Sequence, residues 1–207
     1  MILISTVKTS RRTDGHLSDA RIDELIAEDV PYIDLTSHIL GVGTQAGAME
    51  YFTRETCVLA GGEVASRIAT KLGCVVTNIL PDGTALEAGQ SFMTIGGTAA
   101  QLHQAWKVCL NVFDHLSAVA TKTRAMVDAA HAASPSCEVL TTRKSMPGVK
   151  DLLVEATIAG GAFPHRLGLS ETVLVFDITS RSWRNRRVHR TATPNPFTLH
   201  RESCSSR

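Results

Sequence analysis

Hydrophobic and polar positions in this chain follow two distinct periods, and the changes of period mark its elements. Residues 1–17 are polar and unpatterned and are expected to form a loose extension. Over 18–29, Ile22, Leu25 and Ile26 recur at helical spacing behind Ser18, whose hydroxyl can cap a helix, and Pro31 ends the run. The stretch 32–47 holds no sustained period and is expected to be mostly loop. Short runs at 49–53 and 56–59 read as strands. Gly61 and Gly62 read as a turn, and 63–72 as a helix with Val64, Ile68 and Leu72 on one face, stopped by Gly73. Residues 74–80 are a β-branched strand. Pro81, Asp82 and Gly83 form a turn, since proline presets φ and glycine tolerates positive φ. A further strand over 91–95 is expected to close at Gly96 and Gly97.

The longest helical pattern covers 98–133. Thr98 is its candidate N-cap, Leu102, Trp106, Leu110 and Phe113 follow at helical spacing, Ser117 is a candidate interruption, and Pro135 lies past its end. A strand over 138–142, a helix over 149–159 and a strand over 172–176 then read as a βαβ unit with a parallel pair. The expected fold class is α/β: an N-terminal α+β sandwich domain over 18–100, then a linking helix and the beginning of an incomplete α/β barrel over 101–177. Residues 178–207 carry no apolar period and are expected to be a disordered tail.

Composition sharpens that division. Of 207 residues, 43% are hydrophobic and 20% charged, an ordinary balance for a globular protein, and no apolar run is long enough to span a bilayer. The N-terminus lacks the apolar stretch of a secretory signal, so the expected compartment is the cytoplasm. Five scattered cysteines, none spaced as C-x-x-C, argue for reduced thiols over a disulfide framework or a zinc site. The net charge of +1 hides an asymmetry: residues 1–177 hold 14 Lys/Arg against 19 Asp/Glu, and residues 178–207 hold 7 Arg against Glu202 alone. A break this sharp marks a tail or a change of domain.

Candidate chemistry gathers at the βαβ unit. The glycines at 41, 43 and 47 mimic a dinucleotide loop, but the last is one place too far along and no βαβ unit surrounds them, so they read as plain loop. Arg143 and Lys144 sit where the strand over 138–142 ends, the place where parallel α/β folds gather ligands. Arginine offers a planar fork to carboxylate or phosphate and lysine a compact charge, and a bound anion would relieve the repulsion between them. His165 and Arg166 form a second cationic pair in the loop before the strand over 172–176. Two such pairs on one βαβ unit point to an anion site.

The segment TTRKSMPGVKDLLVEATIAGGAFPHRLGLSETVLVF resembles the corresponding stretch of the quinolinate phosphoribosyltransferase family, with its Thr-Arg-Lys strand end, Pro-Gly helix start, glycine pair and His-Arg-x-Gly-Leu loop. Upstream, LNVFDHLSAVAT is similar to the family's Leu-Ser-Gly-Ile-Ala-Thr motif, with Ala118 and Val119 in place of glycine and isoleucine. The resemblance runs from about Arg21 to Asp177. Trp106 and Lys107 stand where the quinolinate enzymes carry an arginine, and Phe176 where they carry a lysine; these departures resemble the ModD branch, which is associated with molybdate transport. The resemblance implies transfer of a phosphoribosyl group from phosphoribosyl pyrophosphate, accompanied by Mg2+, to an anionic pyridine-carboxylate-like acceptor. It places Arg143, Lys144, His165 and Arg166 in the substrate pocket and brings Lys107 in from the other subunit of a homodimer. It identifies no catalytic residue, and the chain shows no resident metal site.

After Asp177 the family pattern gives way to the basic tail, as a frameshift would leave it, and two barrel strands cannot close a barrel. The chain is therefore expected to be C-terminally truncated and inactive. The alternatives are quinolinate phosphoribosyltransferase activity itself in NAD biosynthesis, and a non-enzymatic anion- or nucleic-acid-binding fragment. The second would use Arg181, Arg184, Arg186, Arg187 and Arg190 with Trp183; it is disfavoured because the tail holds no recognisable nucleic-acid module.

Overall fold

The computed structural model describes residues 17–170. The expected strand over 172–176 and the basic tail lie outside them, as does the extension up to residue 16. Leu17, placed in that extension from the sequence, belongs to the core. The chain divides into two compact units, 1–164 and 165–207. In the second, residues 165–170 form neither helix nor strand.

The first unit opens with helix α1 (Asp19–Asp29), and Ser18 caps it by accepting from the Arg21 amide. Helix α2 (Leu35–Leu40) falls where loop is expected from the sequence. Its apolar residues face outward and leave no buried stripe to read. Asp34 nevertheless starts the turn by accepting from the Thr36 and Ser37 amides, and Gly41 ends it in the left-handed region.

An antiparallel sheet forms the sandwich. Its order is β1 (Ala46–Phe52), β5 (Ser91–Thr98), β3 (Val75–Ile79). Strand β5 does not close at Gly96 and Gly97. Those residues pair with Ala48 and Gly47 and carry the strand directly into the next helix. A side chain on Gly97 would meet the Gln101 amide oxygen at 3.0 Å, and that oxygen accepts from the Thr98 amide in a capping box. The two-residue strands β2 (Cys57–Val58) and β4 (Ala85–Leu86) pair with each other. Helix α3 (Gly62–Lys71) buries Val64, Ala65, Ile68 and Ala69, and Asp82 of the following turn caps it through the Gly61 and Gly62 amides at 3.1 and 2.9 Å.

Helix α4 (Ala99–Ala133) is one uninterrupted element of 35 residues. Ser117 does not break it, because its hydroxyl is occupied outside the helix by Ala60. The buried stripe of α4 runs through Leu102, Ala105, Cys109, Val112, Phe113, Leu116 and Ala120, whereas Trp106 is 47% exposed. The small Cys109 of this stripe lies against α3, its thiol 3.5 Å from the Ala65 carbonyl. Tyr51, Phe92 and Phe113 form the aromatic centre of the core, with ring centroids 4.8–6.4 Å apart.

Beyond α4, strand β6 (Leu140–Thr141), helix α5 (Lys150–Ala159) and strand β7 (Phe163–Pro164) form the βαβ unit. The strand paired in parallel with β6 is β7, at a position read from the sequence as loop. Register matches Leu140 with Phe163 and Thr141 with Pro164. Two residues, one of them proline, are too few to show a period of two. The described part is thus an α+β sandwich leading into the first parallel pair of an α/β barrel.

Candidate functional site

Parallel pairing ends β6 and β7 at the same edge of their sheet. Just past β6 the Thr142 hydroxyl accepts from the Lys144 amide at 3.2 Å, turning the chain sharply. Arg143 and Lys144 project from this turn. Both are exposed, and neither forms an ion pair with any described residue. Ser145, Met146, Pro147 and Gly148 lead from them into α5. His165 and Arg166 follow β7 directly in the chain and begin the second unit.

Lys107 lies elsewhere, on an open groove of about 780 Å³ along α4. Leu59, Leu86, Phe92 and Phe113 supply apolar lining, and the end of β1 with the loop after it adds Phe52, Arg54 and Glu55. On α4 itself Lys107, Leu110, Asp114, Ala118, Thr121, Lys122 and Ala125 share the open face at helical spacing. Arg54, Lys107 and Lys122 form no ion pair with described residues. Lys107 and Lys122 are fifteen residues apart, roughly 22 Å of helix rise between their backbones. Arg143 and Lys144 are absent from the groove lining. Within the first unit, then, Lys107 and the strand-end cations occupy separate places.

Sequence reasoning did not single out Arg54 or Lys122. The signal for Lys122 was the recurrence of exposed positions at 107, 114, 118, 122 and 125, a stripe complementary to the buried one. Arg54 gave no periodic signal, because it sits in the irregular turn after β1.

The buried thiols of the core stay protonated. Burial pushes the Cys109 thiol up to about 12 and raises Cys74 as well. Burial also pushes Glu155 of α5 up to about 7, reinforced by the negative charges of Glu63, Asp82 and Asp151 and offset in part by Arg67. Glu155 does not line the groove. Among the described residues no group of three or more His, Cys, Asp and Glu side chains is placed to hold a metal ion. No described helix is long and apolar enough to cross a membrane.

Comparison with known proteins fits this architecture. The N-terminal domain model of quinolinate phosphoribosyl transferase matches residues 34–117, and the C-terminal domain model matches 119–190. The chain is 36% identical over 160 residues to the ModD protein of Escherichia coli O157:H7, covering 77% of this chain and 56% of that one. It is 32% identical over 173 residues to the nicotinate-nucleotide pyrophosphorylase [carboxylating] of Mycobacterium leprae, covering 78% and 60%. The crystal structure of NadC from Streptococcus pyogenes superposes with a TM-score of 0.74 at 27% identity, over 80% of this chain and 60% of that one. The chain therefore spans a little over half the length of these relatives. The two domain models meet within α4, the helix that joins sandwich to barrel strands. By sequence and by fold, the chain belongs to the quinolinate phosphoribosyltransferase family.

Proposed function

We propose that this chain is phosphoribosyltransferase-like and binds phosphoribosyl pyrophosphate through the cations at the end of β6. The observation that carries this reading is the pair Arg143 and Lys144, unpaired among the described residues, leaving the C-terminal end of a parallel strand. Pyrophosphate is a compact polyanion. Two neighbouring cations offer it concentrated positive charge, and they stabilise the charge that grows on it as the ribosyl bond breaks. The family resemblance assigns His165 and Arg166 to the same substrates. The acceptor is an anionic, pyridine-carboxylate-like acid whose ring nitrogen attacks the ribosyl carbon as pyrophosphate leaves. Magnesium enters with the pyrophosphate. No set of described residues fits it as a resident ion, so no step is assigned to it.

A homodimer completes the reading. Lys107 lines a groove apart from Arg143 and Lys144, as expected of a residue that serves a second copy's site. Trp106 beside it is half exposed. Helix α2, joined to α4 by the 2.7 Å contact between Asp34 and His103, exposes Leu35, Ile39 and Leu40. Apolar surface of this kind fits a subunit contact.

The ModD-like acceptor is favoured over quinolinate itself by Lys107. A lysine offers a point charge where the quinolinate enzymes present the planar fork of arginine.

Pyrophosphate release from phosphoribosyl pyrophosphate and magnesium, measured over a panel of pyridine mono- and dicarboxylates, tests the reading. Release that requires one acid of the panel, and that collapses in Arg143→Ala, supports it. Release that is indifferent to Arg143 and Lys144 contradicts it.

A further inference from the structure

Arg21 of α1 uses all three guanidinium nitrogens, and two of them reach the segment that follows the strand-end cations. Nη2 donates to the Gly148 carbonyl at 2.5 Å and Nε to the Asp151 carboxylate at 3.2 Å, while Nη1 donates to Glu24 at 2.9 Å. The Arg21 side chain is 20% exposed, and the Glu24 and Asp151 carboxylates neutralise it. It adds no free cation to the region, so whatever it does there it does through geometry.

The connection it grips is otherwise weakly tied. Residues 142–148 are all exposed. The turn at its start is held by Thr142, accepting from the Lys144 amide. At its far end Gly148 takes φ +85°, and Val149 gives α5 no side-chain cap. Ordinarily a capping side chain fixes where a helix begins. In α5 the Gly148 carbonyl and Asp151 of the first turn are fixed from outside, by Arg21.

The anchor point is itself rigid. Ile22, the neighbour of Arg21, is fully buried. Arg67 of α3 donates to the Leu17 carbonyl at 2.5 Å and to Asp19 at 2.8 Å, and Lys71 pairs with Asp23. Helix α1 is therefore held on α3 by one set of charges and holds the head of α5 by another.

We propose that Arg21 is a positioning residue for the pyrophosphate site, setting the path of residues 143–148 and hence where Arg143 and Lys144 point. The proposal rests on the reading that those two cations bind pyrophosphate. Without Arg21 the segment samples several paths, and binding must first select the competent one, which weakens the apparent affinity by the fraction competent.

The test measures two quantities on the full chain: amide hydrogen exchange over residues 143–150, and calorimetric affinity for inorganic pyrophosphate. Arg21→Ala is expected to speed exchange in that segment and to raise the pyrophosphate dissociation constant about tenfold. Asp151→Asn weakens one arm alone, by removing its charge, and is expected to move both in the same direction by less, which keeps the test open should Arg21→Ala fold poorly. Asp23→Asn loosens α1 from α3 without touching Gly148 or Asp151, and is expected to lower the melting temperature while weakening pyrophosphate binding less than Arg21→Ala does. The proposal is overturned if Arg21→Ala and Asp151→Asn bind pyrophosphate as the parent does, or if Asp23→Asn weakens binding equally. A parent chain that does not bind pyrophosphate overturns the functional reading instead, and the exchange data still decide whether Arg21 holds the segment.

Discussion

Two hydroxyls inside α4 carry backbone hydrogen bonds that no strand supplies. The Ser117 Oγ accepts from the Ala60 amide at 3.1 Å, and the Thr121 Oγ1 accepts from the Val58 amide at 2.8 Å while donating to the Ser117 carbonyl at 2.6 Å. Alternate amides of an extended segment point one way, and residues four apart on a helix share a face, so the two spacings meet. This is the physical content of the Leu-Ser-x-x-Ala-Thr pattern, which the sequence offered as a family resemblance with no mechanism attached. Ser117→Ala and Thr121→Val each strand a buried amide and are expected to cost about 1–3 kcal/mol in urea unfolding. Glu155 makes a different prediction. Between the ordinary carboxyl range and about 7 the folded chain holds a proton that the unfolded chain gives up, so its contribution to stability falls as pH rises through that window. Glu63, Asp82 and Asp151 face it with like charge and Arg67 with opposite charge. Glu155→Gln should therefore melt higher than the parent at pH 8, by about 2–4 °C, with the difference shrinking toward pH 5.

Among elements, α4 and α5 pack through a glycine. A Cβ at Gly160 would sit 2.5 Å from the Thr123 Cβ and 2.6 Å from the Ala120 carbonyl, and backbone cannot yield to it. Arg124 donates to the Gly160 carbonyl at 3.0 Å and so finishes α5 from the side of α4. Gly160→Ala is expected to cost about 1–3 kcal/mol by overpacking, read as a lower denaturation midpoint with an unchanged slope. Elements with a buried stripe were legible in the sequence: α1, α3, α4 and α5 lie where the periodicity put them. The elements that were missed altogether share one cause. Helix α2 turns its apolar residues outward, and β4 and β7 have two residues each, so none imprints a period. The position of Arg143 and Lys144 just past the end of β6 was legible because the strand pattern stops before them. Arg21 was not, since its role depends on Gly148, 127 positions away.

Across the whole described unit, one core runs from Leu17 and Ile22 through the sheet and α4 to Leu152 and Ala156 of α5. Helix α4 is common to the sandwich and the βαβ unit. A groove on its open face carries Lys107, and the strand end beyond it carries Arg143 and Lys144. On the proposed reading, the substrates of one reaction fall to two surfaces of the chain. The account stands on the second surface holding pyrophosphate. Its most direct test is calorimetric titration of phosphoribosyl pyrophosphate with magnesium into the parent chain and into Arg143→Ala combined with Lys144→Ala. The account predicts binding by the parent that weakens with added salt, and a loss of at least about tenfold in the double variant. Equal affinity in both proteins would contradict it.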